Sequence, residues 1–111
     1  MREELKDNAR LNHIVEAIDN IIEFTHNSSK EEFLKNKILK FAVIKNLEII
    51  GEASYFLTKQ FREMNAHIEW QKIITMRHIL VHDYYQVKEE IIWDTIQTDI
   101  KPLREQLLKL L

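Results

Sequence analysis

Gly51 and Pro102 are the only glycine and the only proline in the 111 residues of this chain. Because glycine and proline are the residues that most often end helices and form turns, a chain with so few of them favours long helices over hairpins and short strands. Leucine, isoleucine, lysine and glutamate are abundant, and all but isoleucine are strong helix formers. The sequence therefore predicts an all-α fold.

Apolar residues recur at three- and four-residue intervals, which is the spacing of one face of an amphipathic helix. A short helix is predicted after the first long one, because Ser29 precedes Glu32 by three residues, which is the sequence signature of a capping box. Short connections between long amphipathic helices are typical of an antiparallel bundle of four to five helices. The predicted helices are Asp7–Thr25, Lys30–Asn36, Ile38–Phe61, Trp70–Val81 and Val87–Leu110.

Gly51 and Pro102 both fall inside predicted helices and need separate explanations. Glycine in a helix interior costs about 1 kcal/mol relative to alanine, so we expect Gly51 to lie at a close helix crossing. Proline removes a backbone donor and clashes with the preceding turn. Pro102 is therefore predicted to kink the last helix or to split off a short final one.

Length and charge limit the classes of protein that fit. A chain of 111 residues predicts one domain over residues 1–111. The absence of cysteine, of a recognisable signal peptide and of a long apolar run favours a cytoplasmic protein outside the membrane. The net charge is −2, whereas nucleic-acid binders usually carry a basic surplus. Any contact with RNA must then use a local site, an oligomeric cleft or a partner.

The candidate chemistry lies in the run from Arg77 to Tyr84, which contains an arginine, a histidine five positions later and a tyrosine. A histidine such as His82 can take the proton of a ribose 2′-hydroxyl near neutral pH, and a guanidinium can hold the phosphate. On a helical projection Arg77 falls within the apolar stripe of the same helix. A charge in that position is expected to be paired, or to face an interface or a ligand.

The same projection places His82 about 140° from Arg77, too far apart to address one phosphate directly. Either the helix ends near Val81 and the turn brings His82 round, or a two-fold dimer builds the site from both chains; we favour both together. The alternative is a structural arginine–carboxylate pair beside a surface histidine. Spacing alone favours that alternative, because a pattern of arginine, four residues and histidine is short.

Three further residues are candidates for supporting roles. His78 and His82 are four positions apart, a spacing that can chelate a metal, but Ile79 occupies the position where the zinc-protease pattern has a glutamate. We therefore predict no metal and no cofactor. Asp83 could orient the neighbouring imidazole, although adjacent residues rarely face one another. Glu52, one turn from Glu48 on the long helix, could present a carboxylate to the site, but spacing favours a solvated face for this pair.

Several segments together resemble the HEPN superfamily, and in particular the HepT-like (DUF86) ribonuclease toxins. The resemblance covers most of the chain beyond the first helical turn. The segments that carry it are Asn46–Ala53, Trp70 with Ile73 and Ile74, Met76-Arg77 with Leu80–His82 and Tyr84, and Trp93-Asp94 through Ile96 and Asp99 to Pro102.

The resemblance implies a dimerising helical bundle with a metal-independent endoribonuclease site at the dimer cleft. Arg77, His82 and Tyr84 match the family's Arg-x4-His-x-Tyr motif, with His78 where asparagine is most common. It further implies an RNA substrate, a homodimer or higher oligomer, and a type VII-like toxin–antitoxin pair. In such a pair a minimal nucleotidyltransferase antitoxin adenylylates the motif tyrosine, here Tyr84.

A second interpretation comes from a different functional class. The chain is then a non-enzymatic module that binds the nucleotidyltransferase as its substrate-binding or regulatory subunit. The net charge of −2 favours this interpretation, because such a module does not have to bind RNA. Growth arrest on induction of the chain alone, cured by Arg77→Ala, would favour the nuclease over the module.

Overall fold

Helices make up all the regular secondary structure in the described part of the chain, which confirms the all-α prediction. The structure is a computed structural model that describes residues 2–111, except for the side chains of residues 2–5 and of Tyr84. The helices are α1 (Arg2–Thr25), α2 (Lys30–Lys35), α3 (Lys37–Phe56), α4 (Lys59–Met64), α5 (Trp70–His82), a 3-10 helix (Tyr84–Gln86), α6 (Glu89–Thr95), a π-helical segment (Ile96–Ile100) and α7 (Lys101–Leu108).

Side-chain caps set the starts of α2 and α3. The Glu32 backbone N–H donates to the Ser29 hydroxyl at 3.1 Å, and the Ser29 N–H donates back to the Glu32 carboxylate at 3.4 Å. This reciprocal pair is the predicted capping box. Asn36 separates α2 from α3, and its side-chain oxygen accepts the Leu39 N–H at 3.0 Å. Each cap satisfies a backbone donor that the first helical turn leaves unpaired.

The long helix α3 ends at Phe56, so its predicted extension to Phe61 was wrong. Leu57 has an extended backbone, and Thr58 caps the new helix α4. The buried Asp7 carboxylate accepts both the Thr58 N–H, at 2.8 Å, and the Thr58 hydroxyl, at 2.7 Å. Such charge-assisted bonds replace the helical hydrogen bonds that the chain gives up at this break.

The pairing between α1 and α3 is antiparallel. Asp7, near the start of α1, meets Thr58 just beyond α3, while the Asn20 amide donates to Asn46 at 3.2 Å in the middle of α3. This pairing buries the apolar stripe of each helix, which includes Leu11, Ile14, Ile18, Ile21, Val43, Leu47 and Ile50. On its other side α3 packs against α5, and α7 packs against α1.

The last predicted helix, Val87–Leu110, is divided into α6, the π-helical segment and α7. Pro102 lacks the N–H that would donate to the Thr98 carbonyl, and its ring clashes with that carbonyl. The backbone widens before the proline, and the Lys101 N–H donates to Ile96, five residues back. The predicted interruption is therefore present, as a π-helical segment rather than a kink at Pro102. None of the described helices is long and apolar enough for a membrane span.

Candidate functional site

The α3–α5 crossing is built around Gly51. A Cβ atom added there would overlap the Cβ of Arg77, lie 2.8 Å from its Cγ and lie 3.2 Å from the carbonyl oxygen of Ile73. Only a residue without a side chain fits this contact, because real carbon atoms do not approach one another so closely. The expected close crossing at Gly51 is confirmed, and its partner is the arginine of the candidate motif.

Arg77 is half-buried, and the crossing encloses part of its guanidinium. Its Nε is buried and has no hydrogen-bond partner among the residues that the structure describes. Among the described side chains no carboxylate forms an ion pair with it, and Glu52, which is exposed on α3, does not reach it. A buried donor left unpaired costs about 1–3 kcal/mol, and more when it is charged. The described residues therefore give no support to the structural arginine–carboxylate pair.

His82 is exposed and is the last residue of α5. The helix therefore ends near Val81, as predicted, but it includes His82 as its last residue. The hydrogen bond from the Asp83 N–H to the Ile79 carbonyl, at 2.8 Å, holds this last turn. Arg77 and His82 consequently project from one continuous helix at about 140° to each other. The turn after α5 does not bring them together.

His78 lies directly beside His82. Their imidazole rings are 4.7 Å apart between centroids and tilted by 52°. This contact follows from their four-residue spacing on one helix face. Among the described side chains the Asp83 carboxylate makes no hydrogen bond or ion pair with His82. No described contact therefore supports the predicted role of Asp83 in orienting the imidazole.

The described part of the chain contains no group of three or more histidine, cysteine, aspartate or glutamate side chains arranged to hold a metal ion. The third motif residue, Tyr84, has a side chain outside the described residues. Its backbone opens the 3-10 helix that directly follows α5, and the Gln86 N–H donates to the Asp83 carbonyl at 2.9 Å. The chain therefore turns sharply just beyond His82.

Beside this turn is a cavity that the sequence analysis did not identify. It measures about 330 Å³, and its lining includes Lys37, Phe41 and Tyr85. Tyr85 is 88% exposed and Phe41 is 47% exposed, and both line the same cavity. The signal was present in the sequence, because Phe41 falls outside the stripe that Val43 and Leu47 bury in the core.

Comparison with known proteins identifies the family of this chain. The ribonuclease HepT-like family matches residues 14–110 of the chain. The chain belongs to this family. A protein of Thermococcus cleftensis named "Probable ribonuclease HepT" is 41% identical over 100 residues, which cover 90% of this chain and 91% of that protein.

A second relative of this HepT-like chain is longer. It comes from Methanocaldococcus jannaschii, is named "Gamma-glutamylcyclotransferase and putative RNase", and is 40% identical over 111 residues. The match covers all of the HepT-like chain but 49% of that relative, so the chain spans about half of its length. No solved structure matches the chain.

Proposed function

We propose that this HepT-like protein is a metal-independent endoribonuclease toxin whose active site combines Arg77 and His82. The observation that carries the proposal is the Arg77 guanidinium, which is partly buried and whose Nε has no partner in the described part of the chain. A fold tolerates such a costly group where a ligand or a second chain completes its hydrogen bonds. An RNA phosphate is a suitable ligand, because a guanidinium binds phosphate oxygens with two parallel hydrogen bonds.

In the proposed reaction His82 removes the proton from a ribose 2′-hydroxyl, and the 2′-oxygen attacks the adjacent phosphorus. The bond from phosphorus to the 5′-oxygen breaks, and that oxygen receives a proton. Arg77 stabilises the extra negative charge on the pentacovalent phosphate. Tyr84 holds the phosphate or protonates the leaving oxygen. The products are a 2′,3′-cyclic phosphate and a free 5′-hydroxyl.

The 140° angle between Arg77 and His82 favours a site made by two copies of the chain. In a two-fold dimer the same surface of each copy faces the other, so the arginine of one subunit meets the histidine of its partner. Exposed apolar side chains near the motif, among them Val81 at 42% exposure, are suited to such an interface. We therefore place the proposed site at a homodimer cleft.

We further propose that a minimal nucleotidyltransferase antitoxin neutralises the toxin by adenylylating Tyr84, in a type VII-like toxin–antitoxin pair. The bulk and negative charge of an attached nucleotide at that position would exclude an RNA phosphate from Arg77. Mass spectrometry of the chain, after co-expression with a nucleotidyltransferase, tests this part of the proposal. A missing adenylyl mass on Tyr84 would contradict it.

The ribonuclease proposal is tested by incubating the purified protein with RNA in EDTA. We expect cleavage to continue, because two side chains supply the base and the phosphate contact. The fragments should carry 2′,3′-cyclic phosphates and 5′-hydroxyls, as judged by their resistance or sensitivity to end-specific enzymes. Intact RNA under these conditions, or fragments with 5′-phosphates, would contradict the proposal.

The net charge of −2 favours a second candidate, a non-enzymatic partner subunit of the nucleotidyltransferase. That candidate predicts no effect when the chain is induced alone in cells. The ribonuclease proposal predicts growth arrest that Arg77→Ala relieves. Induction of both forms, with protein levels matched by immunoblot, separates the two candidates.

A further inference from the structure

We infer that the cavity lined by Lys37, Phe41 and Tyr85 is a binding subsite for one unpaired base of single-stranded RNA beside the scissile phosphate. This inference rests on the proposed ribonuclease function and names the substrate class that the site accepts. We call this cavity the aromatic subsite. It adjoins the candidate active site, because Tyr85 lies in the 3-10 helix that begins two residues after His82.

The two aromatic rings are the first reason for this inference. Tyr85 is 88% exposed and Phe41 is 47% exposed, so both rings present surface that the fold does not bury. Proteins that bind single-stranded RNA stack its bases on exposed aromatic rings of this kind. The cavity, at about 330 Å³, is within the usual size range of about 300–1,000 Å³ for small-ligand pockets.

Charge is the second reason. Lys37 lines the cavity, Lys45 lies one turn beyond Phe41 on α3, and Lys88 directly follows the lining residue Val87 in the sequence. Among the described side chains none of these three lysines pairs with a carboxylate. Lysines that keep their charge available can contact the phosphates on either side of a stacked base. The charged residues that line the cavity are Lys37, Lys40 and Glu89, two cations and one anion, so the lining carries one net positive charge.

Two of the residues that line the subsite form an ion pair. The Lys40 ammonium donates to the Glu89 carboxylate and to the Leu34 carbonyl, at 2.8 and 2.9 Å. This pair neutralises the acidic side chain that lines the cavity and ties α3 to α6. A cross-link between two helices that line the pocket reduces the ordering that RNA binding requires, and so the entropy lost on binding.

The test is a binding titration with a fluorescent single-stranded oligoribonucleotide, in a His82→Ala background so that the RNA stays intact. Tyr85→Ala should raise the Kd about 5- to 150-fold, which is the range expected for losing one stacked base. Tyr85→Phe should stay within about twofold, because the ring remains. Lys37→Ala should reduce the slope of log Kd against log salt by about 0.7.

Matched controls come from residues away from the cavity and from Arg77. Phe56 is 52% exposed, contacts Arg10 of α1 and lies about 22 Å along α3 from Phe41, so Phe56→Ala should leave the Kd unchanged. Lys109→Ala, just beyond α7, is the control for Lys37→Ala. An RNA duplex of the same sequence should bind with an affinity that Tyr85→Ala does not change, because its bases are already stacked.

An unchanged Kd in Tyr85→Ala, or no RNA binding by any form, would overturn the subsite. If Tyr85→Ala changes the sedimentation coefficient but not the RNA affinity, the cavity binds a protein surface and the inference is also overturned. The proposed ribonuclease function fails separately, in the cleavage assay with the unaltered protein. Tyr85-dependent binding without cleavage would retain the subsite and reject the catalytic proposal.

Discussion

Replacing His82 by alanine should reduce the rate of RNA cleavage by about 10²–10⁴-fold, the usual contribution of a general base. The substitution removes the imidazole that is proposed to take the 2′-hydroxyl proton. His82 is exposed at the end of α5, so the free energy of unfolding should change by only about 0.5 kcal/mol. Single-turnover cleavage and urea unfolding of the same preparation measure the two effects.

His26→Ala is the matched control, because His26 is another exposed histidine at a helix end, one residue beyond α1. It should cleave RNA at the unaltered rate. His78→Ala should have an intermediate effect, because the His78 ring contacts the His82 ring at 4.7 Å and helps to orient it. Full cleavage by the His82→Ala protein would remove His82 from the mechanism.

Gly51→Ala should destabilise the protein by about 1–3 kcal/mol, which is the usual cost of forcing an extra carbon into a packed contact. Intrinsic helix propensity alone predicts the opposite, a gain of about 1 kcal/mol. The contact decides the sign, because the new Cβ would overlap the Cβ of Arg77. The helices must separate, and a guanidinium displaced by about 1 Å can lower the cleavage rate roughly 100-fold.

Arg77→Gly provides the rescue that isolates this cause. It removes the overlapping Cβ and leaves the Ile73 carbonyl as the remaining close neighbour, at 3.2 Å. Thermal unfolding of the double variant should therefore resemble that of Arg77→Gly alone, with a coupling energy of about 1–3 kcal/mol. Cleavage should stay absent, because the guanidinium is missing. A higher Tm for Gly51→Ala, with normal cleavage, would contradict the role assigned to Gly51.

Much of the fold could be predicted because its causes are local. The capping box of Ser29 and Glu32 acts over three residues, and Pro102 acts on the turn before it. The break between α3 and α4 has a distant cause. The carboxylate that binds Thr58 belongs to Asp7, 51 positions earlier, and no pattern around Thr58 indicates this contact.

In the candidate site, too, the features with local causes could be predicted and those with distant causes could not. The helical projection correctly predicted that Arg77 would be partly enclosed, and helix spacing predicted that His78 and His82 would be neighbours. The unpaired Nε of Arg77 could not be predicted, because it depends on which carboxylates other helices bring close. The same holds for the aromatic subsite, where α3 and the 3-10 helix meet across more than 40 residues of sequence.

In the proposed dimer, one subunit supplies Arg77 and its partner supplies His82 to the same phosphate. Mixing the inactive Arg77→Ala and His82→Ala proteins tests it most directly, after brief unfolding and refolding to exchange subunits. If the site is shared, each mixed dimer regains one intact site, and random pairing should restore about a quarter of the unaltered activity. If each subunit builds its own site, every site in the mixture lacks one group. Cleavage that stays at the level of the separate variants, with mixed dimers present, would contradict the account.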